Sequence, residues 1–383
     1  MSGAGPRVAW VTNDLPPHSG GIQQFVANLL ARTADVSTLV LGPSAPRGRG
    51  EEAAAFDTSG PWRTVRTRGR VLPTPSTVRW LVPHLREHRP DVIVVASLWP
   101  LGRIVPALRR HVDVPVLGIT HGAEAGLAVG PGRDLLRAVA REVDTVTVIS
   151  DHTSAAVSRV LTGSRIERLS PGVDPERFAR SHHLDAASRL RGRWGVPEDA
   201  QVVGCIARLV PRKGQDVLIG IWPDVLRRHP GARLVIVGEG PQRRRLEAQA
   251  ARVGGVHVVG PVTWAELPAA YATLDVFAMP VRTRLGGLDV EGLGISLLEA
   301  QAAGLPVVVG DSGGAPETVT DPRCGTIVDG RDIAQVLAAV DRWLGDSAAR
   351  ADAAVIGPER AIPWSWDAVA ARFDELVAGL ALR

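Results

Sequence analysis

The chain has 383 residues, of which 45% are apolar and 22% charged, with a formal net charge of +4. That is the make-up of a soluble globular protein, and it is too long for one ordinary core, so two domains are expected. Two cysteines, Cys205 and Cys324, exclude a disulfide framework and a cysteine metal site. No apolar run reaches the ~18 residues of a membrane span, and the start MSGAGPRVAW lacks a signal-peptide shape, so a reducing cytoplasm is expected.

Short apolar, β-branched runs alternate with helical stretches along the whole chain, which predicts parallel α/β sheets. In the first half the predicted strands are Val8–Val11, Ser37–Leu41, Val92–Ala96, Val114–Thr120, Thr145–Ile149 and Ile166–Leu169. The tract Asn13-Asp14-Leu-Pro-Pro-His18-Ser-Gly20-Gly21-Ile22 follows the first strand and opens a helix. It departs from Gly-x-Gly-x-x-Gly, which argues against NAD or FAD. Two adjacent glycines still let a phosphate or sugar approach the backbone closely.

Charge is concentrated in the next stretch. Residues 1–180 hold 22 arginines against 16 acidic residues, while residues 181–383 hold 22 basic against 24 acidic. Within 60–110 there are ten arginines, among them Arg66, Arg68 and Arg70, against only Glu87 and Asp91, with Trp62, Trp80 and Trp99 interspersed. Such a surface suits an anionic bilayer, at ~1 kcal/mol per basic residue near the membrane. A solvated basic face without a partner is the plain alternative. Nucleic acid could use the same charge, but one Tyr and five Phe give no stacking platform, and no recognition motif is present, so no nucleic-acid partner is expected.

Thr120-His121-Gly122-Ala-Glu124 follows the fourth predicted strand. A histidine at a strand's carboxyl end, before a glycine, is either a structural hydrogen-bonder or a group that meets a ligand. Ser170-Pro-Gly-Val-Asp-Pro175 carries turn residues at mid-chain and predicts the linker, giving domains 1–172 and 173–365. In the second half the predicted strands are Val202–Ala207, Arg233–Val237, Val256–Val259, Val276–Met279 and Val307–Val309. Helices are predicted at Gln215–Arg228 and Gly294–Ala303, and Pro363-Trp-Ser-Trp-Asp367 precedes a last amphipathic helix.

Of 44 Lys and Arg residues, one is a lysine, Lys213. It lies in Arg208-Leu-Val-Pro-Arg-Lys213-Gly214, directly after a predicted strand. A lone lysine on an arginine background marks a place for a compact ammonium, as in contact with a phosphate, unless it is chance survival on the surface. Two cations in a strand-to-helix turn can both reach a diphosphate. Further on, Arg282-Thr-Arg-Leu-Gly-Gly-Leu-Asp289-Val-Glu291-Gly292-Leu293-Gly294-Ile295 leads into a helix carrying Glu299. Glycines just before a helix leave N–H groups free for an anion. If all helical, Glu291 and Glu299 would stand ~12 Å apart along the axis. That is too far for a hydrolase pair, at ~5–9.5 Å, but it suits two duties on an elongated ligand with diols. Gly313-Gly314-Ala-Pro316-Glu317 forms a further turn at a strand end. No Asp-x-Asp is present to hold a catalytic metal. Asp289-Val-Glu291 comes nearest, so Mg2+ stays open without a site for it. A Walker pattern is missing too.

Gly20-Gly21, His121, Arg208 with Lys213, and the Glu-x7-Glu of Glu291 and Glu299 together resemble the family 4 retaining glycosyltransferases. The longer tracts around Asn13, Arg208 and Arg282 are similar to the actinobacterial phosphatidylinositol-mannoside mannosyltransferases, in particular those adding the second mannose. The likeness runs over nearly the whole chain, with Ala123 a departure where a larger polar residue is expected.

The resemblance implies a GT-B fold: two doubly wound Rossmann-like domains facing across a cleft, with the 366–383 helix returning to the first. It implies GDP-mannose as donor substrate and no tightly bound cofactor. Arg208 and Lys213 would neutralise the diphosphate. Glu299 would hold the ribose, and Glu291 mannose hydroxyls. Gly292, Leu293, Gly294 and Ile295 would meet the distal phosphate, Val262 the guanine, and Gly20 and Gly21 the donor. His121 would bond the mannose and the acceptor side. The acceptor would be an anionic phosphoinositide glycolipid at the cytoplasmic face of the plasma membrane, met by Asp14, Arg66, Arg68 and Arg70. Configuration would be retained without an obvious nucleophile, the leaving phosphate taking the acceptor's proton. Another nucleotide-sugar donor, a soluble acceptor, or a nucleotide-sugar epimerase on the same fold are the alternatives.

Overall fold

The computed structural model describes residues 5–18, 20–33 and 37–382. Ser19, inside the tract that ends in Gly20-Gly21, lies outside them. Thirteen strands are found among the described residues. In the first half these are β1 (Arg7–Val11), β2 (Ser37–Gly42), β3 (Arg63–Arg66), β4 (Val92–Val95), β5 (Val116–Ile119), β6 (Thr145–Val148) and β7 (Arg165–Arg168). In the second they are β8 (Val202–Ile206), β9 (Arg233–Val237), β10 (Val256–Gly260), β11 (Val276–Met279), β12 (Val307–Gly310) and β13 (Gly325–Val328). They form two sheets, in the orders β3-β2-β1-β4-β5-β6-β7 and β10-β9-β8-β11-β12-β13. Every pairing is parallel.

The near-continuous apolar strands follow from burial on both faces. In β1, Ala9 and Val11 join one core with Leu39, Leu41, Ile93 and Val95. Their alternates Val8 and Trp10 join a second core with Val40, Val92 and Val94. That second face is covered by the helices Gly21–Arg32 and Trp366–Ala381, with Trp10 and Phe373 rings 5.1 Å apart and Phe25 and Trp366 5.9 Å apart. By contacts the chain divides into two compact units. One runs to Gly172 and takes back the stretch from Trp366, and the other is Val173–Ser365.

Two strands have no counterpart among the sequence expectations, β3 and β13. Each is the outer strand of its sheet with one neighbour. β3 reads Arg-Thr-Val-Arg and is only partly buried, so it lacks the apolar run that two covered faces impose.

Each sheet has one place where the winding reverses: β1 between β2 and β4, and β8 between β9 and β11. In open parallel sheets the loops leaving the carboxyl ends of such strands frame the ligand crevice. Here those loops include residues 12–18 and 96–97 in the first unit, and 207–214 and 280–294 in the second. Among the described residues no helix is long and apolar enough to cross a membrane.

Candidate active site

In the second unit, β8 ends at Ile206 and the chain turns through the 3-10 turn Pro211–Lys213 into the helix Gln215–Arg228. Gly214 makes this possible. Its φ is +76°, and a Cβ there would strike the Pro280 carbonyl. The helix buries Leu218, Ile219, Ile221, Trp222 and Val225, which fixes the turn's exit. The loop after β11 is laced to this turn. Arg282 N donates to Arg212 O at 2.9 Å, and Arg282 Nη2 reaches both oxygens of Asp216, at 2.8 and 2.7 Å.

Lys213 and Glu291 meet in this setting. Nζ lies 2.7 Å from Oε2, and each residue is 7% exposed. Arg212 joins them, with Nε 3.4 Å from the same Oε2 and Nη1 3.1 Å from Asp289 Oδ1. Burial alone would raise the Glu291 pKa, but the Lys213 ammonium and the Arg212 guanidinium hold it below the ordinary glutamate value. Glu291 is therefore ionised at neutral pH. Its backbone is held as well: Glu291 O accepts from Gly314 N at 3.0 Å. Gly313 permits this approach, since a Cβ at its φ of +64° would run into the Glu291 carbonyl.

Glu299 sits apart from that cluster. Gly294, with φ +90°, caps the helix Ile295–Ala302, and Glu299 is buried on it. The Tyr271 hydroxyl donates to Glu299 Oε2 at 2.7 Å. Burial pushes the Glu299 carboxyl up to about 7, against the pull of that hydroxyl and of the Arg177 guanidinium. Arg177 in turn stacks on Trp264, its guanidinium carbon 3.9 Å from the ring centroid, and donates to Trp264 O at 2.5 Å. Trp264 lies two residues beyond Val262 on the loop after β10 and is 44% exposed.

In the first unit, His121 follows β5 and reaches the end of neighbouring β4, with Nε2 2.6 Å from Ala96 O. A carbonyl only accepts, so Nε2 carries the hydrogen and Nδ1 keeps its lone pair. Burial pushes the imidazole down to about 4, against the effect of the Ala96 carbonyl, so it is neutral at pH 7. The ring packs edge-on to Phe25 at 5.4 Å. Glu124 accepts from His121 N at 3.1 Å and closes the turn. Burial raises the Glu124 pKa. Asp14 accepts from Gln23 Nε2 at 2.6 Å, and burial raises its pKa while His18, Arg70 and Gln23 pull it the other way. Gly20 and Gly21 lead into the helix Gly21–Arg32, and a Cβ on Gly21 would meet no other group.

The structure regroups the residues picked out from sequence. Lys213 pairs with Glu291, whereas Arg208 is exposed and makes no ion pair among the described residues. Glu291 is not helical: the helix begins at Ile295, so the all-helical spacing to Glu299 does not apply. Gly292, Leu293 and Gly294 lie between them in the loop. Arg66 is already engaged. It holds both oxygens of Asp57 at 2.8 Å and donates to Pro16 O and Pro43 O, which takes up four of its five N–H donors. Arg68 and Arg70 are exposed, with no ion pair among the described residues. Sequence reading missed Arg212, Tyr271 and Arg177. Tyr271 carried a signal, being the chain's single tyrosine. Among the described residues, no three His, Cys, Asp or Glu side chains converge as a metal group would require.

The family model described as Glycosyltransferase Family 4 matches residues 19–177, and that described as Glycosyl transferases group 1 matches 187–360. The chain is 41% identical, over 96% of its length and 97% of the relative's, to a GDP-mannose-dependent alpha-(1-6)-phosphatidylinositol monomannoside mannosyltransferase of Mycolicibacterium smegmatis. It is 38% identical, over 96% of each chain, to a GDP-mannose-dependent monoacylated alpha-(1-6)-phosphatidylinositol monomannoside mannosyltransferase of Corynebacterium glutamicum. In fold it matches a sucrose-phosphate synthase from Thermosynechococcus elongatus, with a TM-score of 0.78 at 21% identity over 98% of this chain and 99% of that one. HepE of Anabaena in complex with UDP gives a TM-score of 0.76 at 19% identity, over 98% and 100%. The paired parallel sheets, the motifs at their strand ends and the identity along nearly the whole length make this chain a GT-B glycosyltransferase of family 4, grouped with the phosphatidylinositol monomannoside mannosyltransferases.

Proposed function

We propose that this chain is a retaining α-mannosyltransferase. It moves mannose from GDP-mannose to a phosphatidylinositol mannoside during glycolipid synthesis at the cytoplasmic face of the membrane. The observation that carries the donor and the acceptor is the 41% identity over 96% of the chain to a relative whose name states both. The side chains described above supply the chemistry.

In this reading Arg208 and Lys213 meet the diphosphate of the donor. Their positive charge stabilises it as it leaves, the largest catalytic contribution when no nucleophile is used. The bond from the sugar's anomeric carbon to the phosphate oxygen breaks, and the acceptor oxygen bonds to that carbon from the same face. The departing phosphate takes the acceptor's proton. Both cations that hold Glu291 bind its Oε2, so Oε1 is the oxygen that accepts from a mannose hydroxyl. Glu299 takes the ribose diol in its ionised form. The N–H groups at Leu293, Gly294 and Ile295, at the start of a helix, face the distal phosphate. Backbone near Val262 reads the guanine, and Gly20 and Gly21 let the donor approach. His121 offers Nδ1 to a hydroxyl of the sugar or the acceptor.

Asp14, Arg68 and Arg70 serve the anionic acceptor. The exposed basic side chains of the helix Pro75–His88, Arg79 and Arg86 among them, add to a field that draws the first unit to an anionic bilayer. The test is to incubate the protein with radiolabelled GDP-mannose and vesicles carrying phosphatidylinositol monomannoside. A dimannosylated lipid is expected. No lipid product, with a UDP-sugar consumed instead, would overturn the reading.

A further inference from the structure

We propose that Arg212 is a positioning residue for the sugar-facing carboxylate: it holds Glu291 in place, braced on Asp289, while Lys213 turns to the donor's diphosphate. The inference rests on the reading of Glu291 given above.

Lys213 cannot serve two anions at full strength. Its ammonium is a compact point charge, and it is already 2.7 Å from Glu291 Oε2. A diphosphate that attracts it draws it from that oxygen. Glu291 is 7% exposed, and a buried carboxylate left without a counter-ion is strongly disfavoured. Such a side chain would move or take a proton, and either change would spoil its hold on a sugar hydroxyl.

Arg212 is built to prevent this. Its planar fork puts Nε on Glu291 Oε2 at 3.4 Å and Nη1 on Asp289 Oδ1 at 3.1 Å, so one side chain ties two carboxylates together. Asp289 is fixed from its other side by Arg284, through the backbone bridge between these residues and a 3.5 Å ion pair. The Arg212 main chain is pinned by Arg282 N at 2.9 Å, and Arg282 in turn grips Asp216. Arg212 thus cannot follow Lys213 toward a phosphate without giving up both carboxylates. Because both cations bind one oxygen, Oε2, the other oxygen is claimed by neither, whichever of them is engaged. A lysine at position 212 would reach Glu291 or Asp289, but not both in one planar geometry.

The test is a double-mutant cycle. Wild type, Arg212→Met, Glu291→Gln and the double variant are compared for kcat, for donor KM and for GDP binding by calorimetry. Arg212→Met is expected to lower kcat by about 10- to 100-fold, while GDP, which has no sugar, binds within about threefold of wild type. Because Arg212 acts through Glu291, the double variant is expected to be no more than about threefold slower than Glu291→Gln alone. Arg212→Lys recovers part of the loss. Asp289→Asn leaves Arg212 unbraced and lowers kcat in the same direction, and it carries the test if Arg212→Met does not fold. Losses that multiply in the double variant, or equal weakening of GDP and GDP-mannose binding by Arg212→Met, would overturn the proposal. Full kcat in Glu291→Gln would instead overturn the reading of Glu291 itself, a separate and recognisable failure.

Discussion

Charged side chains are used in opposite ways by the two units. At the strand ends of the second, Lys213, Arg212, Asp289 and Glu291 sit inside one hydrogen-bonded cluster whose main-chain loops are also tied together. In the first unit, Arg63 and Arg66 are matched by Glu87 and Asp57, while Arg68, Arg70, Arg79 and Arg86 extend outward without ion pairs among the described residues. Breaking a buried pair costs about 3–5 kcal/mol, because a charge is left stranded. An exposed pair contributes about 0–1 kcal/mol and is screened by salt. Geometry in the second unit is therefore specific and intolerant of substitution. The first unit's arginines act as a field, with no one of them decisive.

That contrast can be broken most sharply at Lys213. Lys213→Arg keeps the charge but replaces a point ammonium in a closed setting with a broad fork. Turnover is expected to fall about 10²- to 10³-fold, the loss seen when one preorganised charge contact is removed, while the circular dichroism spectrum and the thermal midpoint stay near wild type. Near-normal turnover would return the lysine to chance survival.

A smaller effect is expected at Glu299. Its folded pKa of about 7 lies above the ordinary value of 4.5, so the carboxyl is progressively protonated as pH falls through 7. Ribose hydroxyls need the ionised acceptor, so GDP affinity is expected to rise with pH and level off above about 8, with up to about tenfold lost per unit below 7. Tyr271→Phe removes a hydroxyl that pulls this pKa down, so the midpoint should move upward. Calorimetric titrations from pH 6 to 8.5 follow both. A profile flat across that range would mean that Glu299 does not hold the ribose in its ionised form.

The weakest single effects belong to the basic face. Arg68→Ser and Arg70→Ser are each expected to weaken binding to phosphatidylinositol vesicles by about fivefold, at ~1 kcal/mol per basic residue. The loss should shrink as salt is raised. Flotation indifferent both to salt and to the two substitutions would remove the field from the account. Arg66→Ser is expected to act differently, loosening the Asp57, Pro16 and Pro43 contacts and lowering the thermal midpoint.

Much of the fold was legible because β1, β4, β8 and β11 are covered on both faces and leave continuous apolar runs. β3 and β13 escaped since an outer strand needs no such run, and Ile327 in β13 is 47% exposed. In the site, Lys213 was legible through its rarity and Glu291 through the glycines around it. Their pairing was not, because it is made by tertiary packing between two loops distant in sequence. Arg212 was hidden by its background: among so many arginines, one more carries no signal. Tyr271 was equally rare as Lys213, and the same reasoning would have found it. Arg66 shows the converse, a charge that reads as surface and is consumed by neighbouring carbonyls and one carboxylate.

The most direct test of where the donor is held is GDP binding, measured by calorimetry on wild type, Lys213→Met and the double variant Arg68→Ser/Arg70→Ser. The expected result is a Kd raised by at least about tenfold in Lys213→Met, as loss of a charge-assisted phosphate contact requires, and unchanged within about twofold in the double variant. Wild-type affinity in Lys213→Met, or a loss confined to the double variant, would contradict a donor site built on the second unit.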